Sequence, residues 1–105
     1  MHKALAANAS DFVMPDLERI GGVTGWLRAA EAAREAGMEM SSHLYPEVSV
    51  HLLAATPTAH WLEYVDWANA FLREPLRIED GHALPSSRPG NGLAWDTDLV
   101  KRLVV

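Results

Sequence analysis

The sequence has no cysteine, few basic residues and no long apolar run. Without cysteine, disulfides and thiolate chemistry are excluded. Nine basic residues stand against fourteen acidic ones, which gives a net charge of −5, whereas binding to nucleic-acid phosphates requires a basic patch. No segment approaches the roughly 20 apolar residues that a membrane span requires. We therefore expect neither a nucleic-acid partner nor a membrane partner.

The N-terminal residues MHKALAANAS contain one lysine and no apolar stretch of the kind found in secretory signals. The expected location is therefore the cytoplasm. A length of 105 residues with 49% hydrophobic side chains is ordinary for a globular protein. The chain therefore has the length for one domain.

Short apolar segments alternate with helix-like segments along the first two thirds of the chain. Strands are predicted at residues 11–16, 38–44 and 59–64. Helices are predicted at residues 3–9, at 25–37 with Gly37 at the end, and at 46–56 with Pro46 in the first turn. Strands and helices joined by short connections are typical of a parallel sheet with helices outside. The pattern predicts an α/β fold with about three parallel strands.

The last third of the chain has a different composition. Residues 72–95 are rich in proline and glycine, and Asp80 and Gly81 favour a hairpin turn. A final helix is predicted with Asp96 or Thr97 as its cap. We expect residues 1–70 to form the α/β unit and residues 71–105 to form an irregular tail.

Three polar side chains stand at the predicted strand ends: Asp16, His43 and Glu63. Functional groups gather beyond the carboxyl ends of parallel strands, and neighbouring strands lie about 4.8 Å apart. Asp16 can therefore reach the His43 ring if their strands pair. Alternation places Trp61 and Glu63 on one face of the third strand, and His60 and Leu62 on the other.

This set of groups suits proton transfer. A carboxylate against one imidazole nitrogen fixes the tautomer and leaves the other nitrogen as a positioned base or acid. Glu63, desolvated beside Trp61, is expected to keep its proton and to donate a hydrogen bond to an anionic substrate. Each residue also has an ordinary interpretation, because a strand-end acid is commonly a cap or solvated and a histidine before a helix is commonly a structural polar residue.

Geometry argues against two other candidate sites, a helical metal site and a hydrolase triad. His43, Glu47 and His51 have helical metal-ligand spacing, but Pro46 begins the helix after His43 and removes it from that face. Ser41 or Ser42 with His43 and Asp16 has the ingredients of a hydrolase triad. No G-x-S-x-G elbow is present, and serines beside the histidine on its own strand do not present a hydroxyl to it.

Over residues 14–63 the sequence closely resembles the C-terminal part of mandelate racemase and its relatives in the enolase superfamily, the mandelate racemase / muconate lactonizing enzyme family. The motifs are PD followed by IGGVTGW, then SSHL, then AATPTAHWLE, in this order. In that family these segments resemble the sixth, seventh and eighth strands of a modified (β/α) barrel. A weaker resemblance runs from about Leu5 to the end, where residues 71–105 are similar to a tail that returns toward a capping domain.

The resemblance implies roles for the strand-end residues. The family's His–Asp dyad maps by motif onto His43 and Asp16, and its acid facing the substrate carboxylate maps onto Glu63. His43 would abstract the proton α to a carboxylate, Asp16 would orient His43, and Glu63 would donate to the enediolate-like intermediate. The resemblance also implies Mg²⁺ stabilising the same charge, and a small hydroxy acid or sugar acid as substrate.

Most of such an enzyme is absent from these 105 residues. A complete barrel takes about 250 residues, and the family's three metal-binding carboxylates and its lysine base lie on earlier strands. The resemblance therefore assigns no metal ligand to this chain. Three strands alone would expose two sheet edges and an apolar inner face. We expect a missing barrel half or self-association to complete the chain, and no substantial turnover by the chain alone.

Two reaction classes stay open for the parent enzyme. A racemase needs a base on each face of the substrate carbon, and only the His43 side is present. In an acid-sugar dehydratase, His43 takes the α-proton or assists departure of the β-hydroxyl. We favour the dehydratase because that chemistry is widespread among similar sequences. The alternative of another class is a non-catalytic fragment that only oligomerises through its open sheet edges.

Overall fold

The structure is a computed structural model that describes residues 1–103. Within these residues the elements are α1 His2–Ala6, α2 Gly22–Glu35, α3 Pro46–Ala54, a 3₁₀ turn Asn69–Phe71, β1 Arg77–Glu79, β2 His82–Leu84 and α4 Thr97–Leu103. The three helices predicted in the first two thirds are present, and their ends differ from the predicted ones by at most three residues.

The buried face of helix α2 consists of Trp26 and four alanines, which favour helix and pack closely. It ends as predicted, because Gly37 has a φ of +64° and the Met38 N–H donates to the Ala33 carbonyl at 2.8 Å. The helix begins three residues before the predicted start, at Gly22. Gly25 lies inside the helix, and a larger residue does not fit there because a Cβ would stand 1.8 Å from the Ile20 carbonyl oxygen.

Helices α2 and α3 cover a buried core. Trp26 is fully buried, and its indole Nε1 donates to the Thr56 hydroxyl at 3.0 Å. That hydroxyl donates in turn to the Leu52 carbonyl at 2.7 Å, so the polar end of the indole is satisfied inside the core. The buried core consists of Val13, Trp26, Ala29, Ala30, Ala33, Met40, Leu52 and Leu53.

The three predicted strands are extended segments that pair in parallel through isolated bridges. The bridges are Val13 to Met40, Asp16 to His43 and Met40 to Ala59. The prediction was right about the order and direction of pairing and wrong about strands, because no regular strand forms at these segments in residues 1–103. Pro15 has no N–H to donate, and each outer segment pairs with one neighbour only, so the ladders stay short.

The tail contains the only regular sheet of the described residues. Strands β1 and β2 pair antiparallel, and Asp80 and Gly81 form the turn with φ values of +48° and +77°. This confirms the predicted hairpin. Asp96 caps α4, because its Oδ1 accepts from the Asp98 and Leu99 N–H groups at 3.1 and 3.0 Å. The last two residues of the predicted helix, 104 and 105, lie outside the described residues.

The two sides of the paired segments differ in cover. Val13 and Met40 are buried under the helices, whereas Phe12 and Met14 are half exposed and Trp61 is 68% exposed. The face turned away from the helices is therefore open. No helix of residues 1–103 is long and apolar enough to cross a membrane. The division of the chain at residues 70 and 71 stays a prediction.

Candidate active site

The structure brings Asp16 and His43 into direct contact. Their backbones form a parallel bridge, and the His43 N–H donates to the Pro15 carbonyl at 3.3 Å. The His43 Nδ1 lies 2.8 Å from the Asp16 Oδ2. The carboxylate is 11% exposed and the imidazole 37% exposed, so Asp16 sits beneath a ring that still reaches solvent.

The surroundings keep the Asp16 carboxyl ionised. Its Oδ1 accepts from the Arg19 N–H at 2.9 Å, and this bond, followed by the one from His43, lowers the pKa of Asp16 below its ordinary value. An ionised carboxylate only accepts, so the His43 Nδ1 must carry the shared proton. In the neutral ring, Nε2 is then the nitrogen available to accept a proton.

Glu63 is tied to the residue that follows His43. Its Oε2 accepts from the Leu44 N–H at 2.7 Å, and its own N–H donates to the Ser42 hydroxyl at 2.9 Å. Both contacts span the two neighbouring segments and fix Glu63 against the loop that carries His43. The second carboxyl oxygen, Oε1, is the one that can face a substrate.

The tryptophan that was expected to bury Glu63 is itself exposed. Trp61 is 68% exposed, so it does not form the buried wall on which the expected desolvation of Glu63 depended. The predicted alternation is also wrong, because His60 stacks on exposed Phe12 at 5.1 Å whereas Leu62 packs against the core. The pairing ends too early to hold residues 59–64 in a regular pleat.

Sequence reasoning missed the turn between His43 and α3. Leu44 and Tyr45 have φ values of +56° and +49°, which non-glycine residues adopt only at an energetic cost. Their contacts offset this cost: the Ser49 hydroxyl donates to the Leu44 carbonyl at 2.9 Å, and the Tyr45 hydroxyl donates to the Glu18 carboxylate. The one signal was Pro46, because a residue before proline avoids the right-handed helical region.

The serines do not form a nucleophilic triad with His43. The Ser41 hydroxyl lies 3.3 Å from the Nδ1 of His60 and accepts from the Trp61 N–H at 3.2 Å. The Ser42 hydroxyl is fully buried and accepts from the Glu63 N–H. Both hydroxyls therefore connect neighbouring segments and hold the site together.

The sequence of the chain matches a known protein family. Residues 1–99 match the family described as enolase C-terminal domain-like. The chain belongs to this family. One solved structural neighbour is a mandelate racemase/muconate lactonizing enzyme, so the resemblance predicted from the motifs is confirmed.

Three proteins illustrate the likeness. The L-talarate/galactarate dehydratase of Salmonella typhimurium is 40% identical over 88 residues, which is 84% of this chain and 22% of that protein. An enolase from the alpha-proteobacterium BAL199, crystallised with Mg, is 53% identical with a TM-score of 0.94, over 97% of this chain and 28% of that one. An enolase from Bradyrhizobium, complexed with magnesium and mandelic acid, is 52% identical with a TM-score of 0.90, over 96% of this chain and 28% of that one.

This chain spans between about a fifth and three tenths of the length of these proteins. Similar family members include sugar-acid dehydratases, a cycloisomerase and a racemase. Several solved neighbours hold magnesium. The described residues contain no group of three His, Asp or Glu side chains that could hold a metal ion, and this includes His43, Glu47 and His51.

Proposed function

We propose that this chain is the part of an enolase-superfamily enzyme that carries the base for removing a proton α to a carboxylate, and that it is inactive by itself. Asp16 orients the base, His43 is the base, and Glu63 is the acid that faces the substrate carboxylate. The observation that carries the proposal is the 2.8 Å contact between the His43 Nδ1 and the Asp16 Oδ2.

The proton moves from the substrate to His43. Asp16 holds the Nδ1 proton, so Nε2 accepts the proton from the α-carbon, and the electron pair of the C–H bond moves into the carboxylate to give an enediolate. His43 is 37% exposed, so a substrate on the open face reaches it. The charge on Asp16 stabilises the imidazolium formed in this step.

Glu63 stands where it can meet the enediolate. The Leu44 N–H occupies its Oε2, which leaves Oε1 to carry a proton and donate it in a hydrogen bond to a substrate oxygen. Trp61 is exposed in this chain, so dry surroundings for that hydrogen bond would have to come from the rest of a barrel. Any Mg²⁺ would likewise be held by residues outside this chain.

The substrate class is a small hydroxy acid or sugar acid, and we favour dehydration. In a dehydration His43 takes the α-proton, the His43 imidazolium gives a proton to the β-hydroxyl as the C–O bond breaks so that water leaves, and the enol product becomes a keto acid. A racemase requires a second base on the opposite face of the substrate carbon. Two similar proteins act on sugar acids by name, L-talarate/galactarate dehydratase and D-gluconate dehydratase.

The test compares this chain with a polypeptide extended by the rest of a family barrel. Both are incubated in D₂O with Mg²⁺ and a panel of hydroxy acids and sugar acids, and α-deuterium incorporation and keto-acid release are measured. We expect none from the 105-residue chain and turnover from the extended one. His43→Asn in the extended protein should lower the rate about 10²- to 10⁴-fold.

His82→Asn is the matched control, because His82 lies on the exposed hairpin. It should leave the rate unchanged. Exchange by the 105-residue chain would overturn the proposed inactivity. No exchange by the extended protein with any substrate of the panel, or equal rates for the two histidine variants, would overturn the proposed function.

A second candidate follows from the open face. Phe12, Met14 and Trp61 are exposed on or beside the paired segments, and an apolar surface of this kind favours association. The chain would then be a non-catalytic fragment that only oligomerises. Sedimentation equilibrium tests this: a stable oligomer that is silent to Mg²⁺ and substrate supports it, and a monomer contradicts it.

A further inference from the structure

A second side-chain contact follows the Asp16–His43 pair along the same two segments. Two residues beyond Asp16 stands Glu18, and two residues beyond His43 stands Tyr45. The Tyr45 hydroxyl donates to the Glu18 Oε2. The two segments are therefore joined twice in succession, first at the proposed base and then at the turn leading into α3.

The turn that Tyr45 holds controls where the Leu44 N–H points. Leu44 and Tyr45 both have left-handed backbones, and neither is a glycine or an asparagine that adopts this conformation at low cost. In this conformation the Leu44 N–H donates to Glu63 at 2.7 Å. A change of φ at Leu44 would rotate that peptide and remove its N–H from Glu63.

The local charges keep Tyr45 in its donating form. The hydrogen bond to Glu18 raises the pKa of Tyr45, and burial and the Glu18 and Asp16 charges raise it further, while Arg19 acts in the opposite direction. Asp16 thus acts electrostatically on Tyr45 as well as on His43. The two contacts belong to one connected group of side chains.

We infer that Tyr45 is a positioning residue: its hydrogen bond to Glu18 holds the Leu44–Tyr45 turn in the left-handed conformation and so keeps the Leu44 N–H on Glu63 and His43 on Asp16. The inference rests on the proposed function, because those are the groups assigned to the reaction. Tyr45 itself touches no reacting atom in this role.

The test removes one oxygen atom. In the ¹⁵N-labelled chain, Tyr45→Phe should speed hydrogen exchange of the Leu44 amide about two- to tenfold, the range expected for losing one hydrogen bond. The His43 ring ¹⁵N shifts should move away from the tautomer protonated at Nδ1. Tyr64→Phe is the matched control, because Tyr64 is the other tyrosine of the chain and its hydroxyl accepts from Asn69.

A second pair of variants tests the partner. Glu18→Gln keeps an oxygen that accepts from Tyr45 and should leave Leu44 exchange within about twofold, whereas Glu18→Leu should reproduce Tyr45→Phe. This pair decides the matter if Tyr45→Phe unfolds the chain. An unchanged Leu44 amide in Tyr45→Phe, or equal effects in Tyr45→Phe and Tyr64→Phe, would overturn the inference.

The readouts separate this inference from the proposed function. Amide exchange and ring shifts need no turnover, so they report on positioning even if the extended protein proves inactive. If the extended protein is active, Tyr45→Phe should lower kcat while leaving KM within about twofold, because Tyr45 acts through His43 and Glu63. A change in KM alone would assign Tyr45 to substrate binding and contradict its positioning role.

Discussion

The two sides of the paired segments differ in one respect that matters for function. On the helix side, Trp26 and Met40 are fully buried and the polar end of Trp26 is satisfied by Thr56. On the other side, Met14 is half exposed and Trp61 more than half. The helix side is a packed, buried core, whereas the open side is exposed to solvent.

The proposed reaction needs both sides. The packed helix side fixes the backbones of these segments, so Asp16 contacts His43 and Glu63 contacts the Leu44 N–H although the open side is exposed. The open side supplies access but no exclusion of water, and the described residues hold no magnesium site. Stability and chemistry are therefore separable in this chain, and substitutions on the two sides should have different consequences.

The largest effect is expected for Trp26→Ala. Removing a fully buried indole and its hydrogen bond to Thr56 should cost about 3–5 kcal/mol of unfolding free energy. Urea denaturation followed by circular dichroism measures it. Trp67→Ala is the control, because Trp67 is 71% exposed, and its cost should stay within about 0.5 kcal/mol. Equal losses for the two variants would contradict the contrast between buried and exposed tryptophans.

A pair of methionines tests the contrast within the paired segments themselves. Met40 is fully buried and Met14 is half exposed. Met40→Ala should cost about 2–5 kcal/mol, and Met14→Ala less than about 1 kcal/mol, in the same denaturation experiment. In a polypeptide extended to close the barrel, the cost of Met14→Ala should rise toward that of Met40→Ala. A cost of Met14→Ala that stays small there would mean that the open side is not a barrel interior.

The helices could be predicted from the sequence, whereas the irregularity of the paired segments and the exposure of Trp61 could not. Helices α2 and α3 follow from local signals: an alanine-rich apolar face, Gly37 at one end and Pro46 at one beginning. The order of pairing follows from the alternation of segments. Regular strands and the burial of Trp61 depend on contacts between segments distant in sequence, which local patterns do not record, so local patterns overestimated both.

The site was predictable in its contacts and less so in its backbone. The meeting of Asp16 with His43 follows from their positions at adjacent strand ends. The left-handed turn at Leu44 and Tyr45 does not, because no glycine or asparagine marks it. Side-chain contacts that are distant in sequence hold that turn, and such contacts are invisible to local propensity.

A smaller effect is expected where the site-bearing segment joins the helix side. Gly25→Ala would place a Cβ 1.8 Å from the Ile20 carbonyl oxygen, so the backbone must shift. We expect a loss of about 1–3 kcal/mol despite the better helix propensity of alanine. Gly37→Ala gives the cost of backbone strain without a steric clash, because nothing lies within 4 Å of its added Cβ and only its φ of +64° opposes a side chain. A more stable Gly25→Ala variant would contradict the close approach.

The smallest effect concerns the charge on Asp16 and has a defined sign. Its pKa lies below the ordinary value of 3.8 in the folded chain, first because of the Arg19 N–H and then because of His43. The folded state therefore holds the ionised form better than the unfolded state does. The stability from this group is fully present above 3.8 and is lost as the pH falls below 3.8 through the lowered pKa.

Comparing the chain with Asp16→Asn across that range isolates the contribution. The unfolding free energies of the two proteins should run parallel above about pH 5 and converge as the pH falls, because only the wild type loses the favourable carboxylate. Urea denaturation at half-unit steps of pH measures the difference. Asp11→Asn, at an exposed aspartate of the same segment, should stay parallel to the wild type throughout. A constant gap for Asp16→Asn down to low pH would mean that the carboxylate is held no better in the folded chain than in the unfolded one, and that the site on the open side is less preorganised than its 2.8 Å contact indicates.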